Sequence, residues 1–151
     1  MSDSTFTVAG YALRADRRYD PATNLWVAEL DANHVRVGFD PLGAETTGDI
    51  VAVSFTAPGT FVARGDSLAT IEAAKFVGPL AAPVGGTVVA ANGAIAAAPG
   101  TVNSDPFEAW LVELTDVDRE ELGRLIDGQD AVAEWFANAV ERFRQQGAIA
   151  E

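Results

Sequence analysis

Lys75 is the one lysine in a chain of 151 residues, and nine arginines supply every other basic side chain. It stands in the stretch "SLATIEAAKFVGPLAAPVGGTVVAAN", between two apolar runs of β type. If both flanks are strands, Ala73, Ala74 and Lys75 fall at or near the tip of a hairpin. Small neighbours there leave the ammonium exposed, with Glu72 the only carboxylate close in sequence. An exposed lysine amine can be acylated, whereas a guanidinium keeps its charge and is a poor acylation site. The residues leave two readings open. The lysine is incidental in an arginine-biased chain, or it marks a position that needs an amide bond.

Other chemistry is sparse. The absence of cysteine excludes disulfides, thiol nucleophiles and thiolate metal sites. His34 is the single histidine, too few for a two-histidine metal site, and "DANHVRVGF" places it in a surface turn at the start of a strand. "VGGTVV" is a Gly-Gly turn between strands, not a phosphate cradle before a helix. The carboxylates are scattered and read as a solvated face. Nothing here is a self-contained enzyme. A formal charge of −12 opposes nucleic acid and anionic membranes alike, so neither is expected as a partner. The start "MSDSTFTVAGYALRADRR" lacks a secretory pattern and no run approaches membrane-spanning length, which predicts a cytoplasmic protein.

The elements that must position Lys75 follow from periodicity. From Leu25 to Leu114 short β-type runs alternate with turn residues, the mark of a small β-sandwich or barrel. "LWVAEL" and "HVRVGF" flank "DAN" as a hairpin, with Val35, Val37 and Phe39 on one face. "PLGAETTGD" is a loop or short helical turn, and "TFVARGDSLATIEA" brings Phe61, Leu68 and Ile71 towards a core. Pro79 limits "FVGPLAAPV" to an edge or irregular strand. Beyond Leu114, Asp118 is an N-cap with Glu121 three residues on, and Gly128 ends that helix. Val132, Trp135, Phe136, Ala139, Val140 and Phe143 then recur at helical spacing, with Gly147 as the stop. Such a stripe covers an open face of the β body or forms a partner surface. The expected organisation is an N-terminal tail over 1–20, a β domain over 21–115 and a helical cap and extension over 116–151.

Around Lys75 the sequence resembles a family. "GTFVARGDSLATIEAAK" is similar to the turn–strand–lysine pattern of lipoyl and biotinyl carrier domains, through Gly59, Val62, Gly65, Leu68, Ile71 and Glu72 to Lys75. "APVGGTVVAAN" resembles the returning strand. Ala74 and Phe76 flank the lysine where biotinyl domains usually carry methionines, which makes a biotin carrier the weaker alternative. "VGFDPLGAETTGDIVAV" and "PGTVNSDPFEAWLVEL" further resemble the H-protein of the glycine cleavage system, the latter through Asn103, Asp105, Pro106, Phe107 and Trp110.

The resemblance implies a mainly β fold, a flattened barrel-sandwich hybrid of the lipoyl/biotinyl-carrier type with C-terminal helices. It implies lipoic acid in amide linkage to Lys75, with Glu72, Ala74 and Phe76 as flanking recognition residues for a lipoate-attaching enzyme. The partners implied are the pyridoxal-phosphate decarboxylase, the folate-dependent aminomethyltransferase and dihydrolipoamide dehydrogenase of glycine cleavage. "FVGPL" after the lysine differs from the small and then acidic residues usual in H-proteins. It is similar to H-like lipoate-binding proteins that carry sulfur for a sulfur-oxidising complex. An unmodified interaction module on the same fold is the remaining alternative.

Overall fold

The computed structural model describes residues 4–149. The chain begins with an antiparallel hairpin, β1 (Thr5–Val8) and β2 (Tyr11–Arg14). There follow β3 (Arg18–Asp20), β4 (Leu25–Glu29), β5 (His34–Phe39), α1 (Pro41–Thr47) and β6 (Ile50–Phe55). Next are β7 (Phe61–Val62), β8 (Ser67–Ala73), β9 (Val77–Ala81) and β10 (Gly86–Ala91). The short helices α2 (Gly93–Ala97) and α3 (Thr101–Ser104) lead to β11 (Val112–Thr115), α4 (Arg119–Gly123) and α5 (Gln129–Gln145).

Two antiparallel sheets form the body, in the orders β3-β4-β5-β11-β10-β7 and β6-β8-β9. Their shared core holds Leu25, Val27, Val35, Val37 and Phe39 from the larger sheet and Ile50, Leu68 and Ile71 from the smaller. The sheets remain open, without closing into one barrel, and the layered body is the flattened barrel-sandwich expected from the sequence. The β4–β5 hairpin pairs Leu25 with Phe39 and Glu29 with Val35. Pro79 lies in β9, an edge strand, where its missing N–H disturbs no inner ladder.

A second core explains why "LWV" is apolar without alternation. Leu25 and Val27 face the inter-sheet core, while Trp26 packs on the opposite side with Leu42, Tyr19 and the α5 residues Val132, Phe136, Ala139 and Val140. Full burial of side chains such as Val132 and Phe136 contributes roughly 1.5–3 kcal/mol each. The α5 stripe thus covers an outer face of the β body, as one of its two readings expects.

Three expectations need correction. Residues 1–20 are not a tail throughout, because β1, β2 and β3 occupy most of 5–20; residues 1–3 of that expectation lie outside the described residues. Ala9 and Gly10 turn the hairpin with φ of 51° and 90°, and Leu13 is buried under the second core. Phe61 is 67% exposed and Val62 is buried in its place. A two-residue strand carries too little alternation to set its inward face. Finally, α4 stops at Gly123, well before Gly128. Ile126 leaves the helix to exchange backbone hydrogen bonds with Tyr19, both at 2.9 Å. Gly128, with φ of 92°, is instead the N-cap of α5.

The expected Asp118 cap is present, its carboxylate accepting from the amides of Glu120 and Glu121, each at 3.0 Å. Glu121 does not turn back on Asp118. Its carboxylate accepts from the Gly85 amide at 2.8 Å, which ties α4 to the start of β10.

Candidate functional site

The β8–β9 hairpin pairs Glu72 with Val77 and closes through the Ala73 amide, which donates to the Phe76 carbonyl at 2.9 Å. Its tip, Ala74-Lys75, does not stand free in solvent. The Ala74 amide donates to the Asp49 carbonyl at 2.9 Å, and the Lys75 amide donates to the Thr47 carbonyl at 3.0 Å. The backbone of the tip is therefore docked on the junction between α1 and β6.

That junction is itself cross-braced. Asn103 of α3 donates from Nδ2 to the Gly48 carbonyl at 2.8 Å and to Ala44 at 3.4 Å, and its Oδ1 accepts from the Ile50 amide at 3.1 Å. Gly48 adopts φ 79° and ψ −170°, a region essentially restricted to glycine. A Cβ there would meet Lys75 Cγ at 3.1 Å and Ala74 Cβ at 3.3 Å. At its other end α1 is capped by Asp40, whose Oδ1 accepts from the Gly43 amide at 2.8 Å. Burial pushes the Asp40 carboxyl up to about 7, against the hydrogen bonds from Gly43 and Asn24.

Backbone fixed and side chain free is the result. Lys75 is exposed, and among the described residues its ammonium forms no ion pair or hydrogen bond. Its side chain opens on a cleft of about 750 Å³. Tyr11, Glu45, Gly48, Asp49, Ala74, Asn103, Asp105 and Phe107 contribute to the walls. Glu45, Asp49 and Asp105 make the lining acidic, and among the described residues Lys75 is its only basic one. Tyr11 donates from its hydroxyl to Glu45 Oε1 at 2.7 Å. Burial, then the Glu45 hydrogen bond and charge, push the Tyr11 phenol up to about 12.

The four residues singled out in the sequence therefore separate. Lys75 and Ala74 line the cleft. Glu72 lies on the exposed face of β8. Phe76 turns to a separate groove of about 260 Å³ between α1 and β9, with its ring against Gly78. His34 is apart from this chemistry, held in its turn by Asp31 at 3.0 Å. Among the described residues no cluster of three potential metal ligands occurs, and no helix is long and apolar enough to cross a membrane.

Sequence reasoning assigned no role to Tyr11, and it held Glu45 and Asp49 only as part of the segment "VGFDPLGAETTGDIVAV". Asn103 and Asp105 were within a recognised segment, but the bond of Asn103 to the α1–β6 junction joins residues more than 50 positions apart. No local signal reveals such a contact.

A barrel-sandwich body that docks a hairpin and leaves its lysine free has the architecture of a carrier domain. The glycine cleavage H-protein family matches residues 17–137. The glycine cleavage system H protein of Micrococcus luteus is 39% identical over 110 residues, covering 72% of this chain and 86% of that one. Glycine cleavage system H protein 4 of Aquifex aeolicus is 36% identical over 142 residues, 93% of this chain and 81% of its own. The crystal structure of a glycine cleavage system H protein from Mycobacterium marinum superposes with a TM-score of 0.67 at 30% identity, covering 81% of this chain and 98% of that one. The chain belongs to the glycine cleavage H-protein family. Proteins of this family are lipoyl carriers and not themselves catalysts.

Proposed function

We propose that this protein carries a lipoyl group in amide linkage at Lys75 and delivers an aminomethyl group between the enzymes of glycine cleavage. The observation that carries this reading is a lone lysine on a docked turn, opening on an acidic cleft. The residues fit the group. The Lys75 amine is accessible and, among the described residues, unpaired; its backbone is held by Thr47, and Ala74 beside it presents no bulk to an attaching enzyme. Glu72, on the exposed face of β8, is available to that enzyme as a recognition residue.

When bound, the lipoyl group supplies a dithiolane that takes up and releases the transported group. The chain's part is to hold and orient. Acylation removes the Lys75 charge, so among the described residues Glu45, Asp49 and Asp105 become the only charged side chains lining the cleft. An acidic, partly enclosed lining attracts a protonated amine and repels an anionic sulfur species. This favours the glycine-cleavage reading over sulfur carriage. The bulky "FVGPL" segment carries little weight against it, because Phe76 turns away from the cleft. The decarboxylase, the aminomethyltransferase and dihydrolipoamide dehydrogenase are the partners under this reading.

Intact mass of protein made with an active lipoylation system tests attachment. One lipoyl group is expected, and its retention in Lys75→Arg would overturn the assignment. A biotin mass would instead establish the biotin alternative, and an unmodified chain would return the fold to an interaction module. Reconstitution with the glycine decarboxylase then tests the cargo. Loading of the lipoylated protein is expected, and failure to load while the decarboxylase loads another H-protein would return the choice to sulfur.

A further inference from the structure

The family match begins at residue 17, after β2, and ends at 137, inside α5. The Mycobacterium marinum protein is covered over 98% of its length by 81% of this chain, which leaves about a fifth of this chain without counterpart there. The β1–β2 hairpin precedes the matched residues and the last part of α5 follows them, and the two pack on each other. Val8 and Leu13 are buried with Val140 and Ile149 in the second core. The Tyr11 ring meets Phe136 edge-on, with centroids 5.5 Å apart.

The hairpin does not lie at random. Gly10, Tyr11 and Ala12 form one side of the cleft that holds Lys75, and Tyr11 crosses to α1 by its hydrogen bond to Glu45. A flexible tail could not line a cleft in this way. A turn held by α5 on one side and α1 on the other can.

We infer that the β1–β2 hairpin, braced by α5, is a fixed wall that shelters the end of the Lys75 arm, with the Tyr11 ring as the positioning residue. The inference rests on the reading of Lys75 as the point of attachment. The wall restricts approach to the arm from the hairpin side and leaves the β8–β9 tip as the open side. Selection among partners follows, since an enzyme must approach along the tip to reach the cargo. The Tyr11 hydroxyl satisfies one oxygen of Glu45, and among the described residues the other has no hydrogen-bond partner, so it can receive a donor brought in by the arm.

The chain itself makes the test clean. It contains no cysteine, so after reduction the only thiols are those of the arm. It contains one lysine, so an activated ester of lipoic acid places the arm on Lys75 whether or not a cell does so, once product acylated at the N-terminus is removed. The rate of thiol labelling by a small haloacetamide and by a bulky maleimide dye is then measured on wild type, Tyr11→Phe and Tyr11→Ala. Tyr11→Phe, which keeps the ring and loses the bond to Glu45, is expected to label at a rate between wild type and Tyr11→Ala. Tyr11→Ala, which removes the ring, is expected to label several-fold faster, more so with the bulky dye. Equal rates in Tyr11→Ala and wild type, with melting temperatures showing both folded, would overturn the wall. Should Tyr11→Ala fail to fold, Ala12→Trp, which adds bulk to the same cleft lining, is expected to slow the dye, and an unchanged rate overturns the inference. Failure of enzymatic lipoylation, by contrast, bears on the proposed function alone, since this arm is attached chemically.

Discussion

The amide of Lys75 is hydrogen-bonded at 3.0 Å to the carbonyl of Thr47, the last residue of α1. The lysine is thereby separated into two parts with opposite mechanical character. Its backbone belongs to a packed junction of a hairpin and a helix end, while its side chain is free to take a substituent. Attachment by an enzyme needs both, since a mobile tip raises the entropy lost on recognition.

Gly48 is the most sensitive position in this arrangement. In Gly48→Ala the new methyl meets Lys75 Cγ and Ala74 Cβ, on a backbone of φ 79° that alanine rarely adopts. The expected loss of stability is about 1–3 kcal/mol. Lipoylation by a purified ligase should slow by more than global unfolding explains. Urea unfolding together with an initial-rate assay of arm attachment separates the two effects.

Asn103 braces the same junction through three hydrogen bonds. Its replacement by alanine leaves the Ile50 amide and the Gly48 carbonyl without these partners, at an expected cost of about 1–3 kcal/mol. Hydrogen exchange at the Lys75 amide should accelerate in Asn103→Ala before exchange in the β4–β5 hairpin does. Parallel acceleration at both places would show the brace to be global.

Asp40 makes stability depend on pH in an unusual direction. Its carboxyl rises from 3.8 to about 7 on folding, chiefly through burial, with the nearby Asp20 charge adding to the rise. Between those values the folded state holds a proton that the unfolded state has released. The stabilisation is complete below the unfolded value and is lost as pH rises through the folded one, with a slope of up to about 1.4 kcal/mol per pH unit. Asp40→Asn keeps an oxygen for the Gly43 amide and cannot ionise. Denaturation from about pH 5 to about pH 8 should show wild type falling relative to Asp40→Asn, and a constant difference would refute the assignment.

Phe76 is 39% exposed and lies against Gly78, not in either core. Phe76→Ala is therefore expected to change stability by less than about 1 kcal/mol, far below the ~3–5 kcal/mol of a core phenylalanine. A loss in the core range on thermal denaturation would mean that the ring rigidifies the turn.

Much of the fold could be read directly, and the residues show why. "LWVAEL" and "HVRVGF" flank the turn residues "DAN" as a hairpin, and Asp118 and Gly147 bound helical segments through local chemistry. Pro79 signalled an edge strand because its missing N–H acts within one residue. The failures are non-local or weakly marked. Ala9-Gly10 is a left-handed turn without the Asn-Gly or Asp-Gly signature, so the first hairpin passed for a tail. Ile126 was drawn out of a helix by Tyr19, a residue over one hundred positions away. The site divides in the same manner. Lys75 stood out by its uniqueness, but the cleft beside it is assembled from four separate stretches of chain, and only folding brings Glu45, Asp49 and Asp105 to one lysine.

Pro79 has one more consequence. The sheet margin beside the Lys75 hairpin cannot offer an unbroken row of backbone donors, so a visiting protein finds no template on which to lay a strand. Its hold must come from side chains, and such holds are quickly undone. A messenger shared by several recipients has to be put down as readily as it is picked up, and an imino acid at the rim keeps the handshake brief.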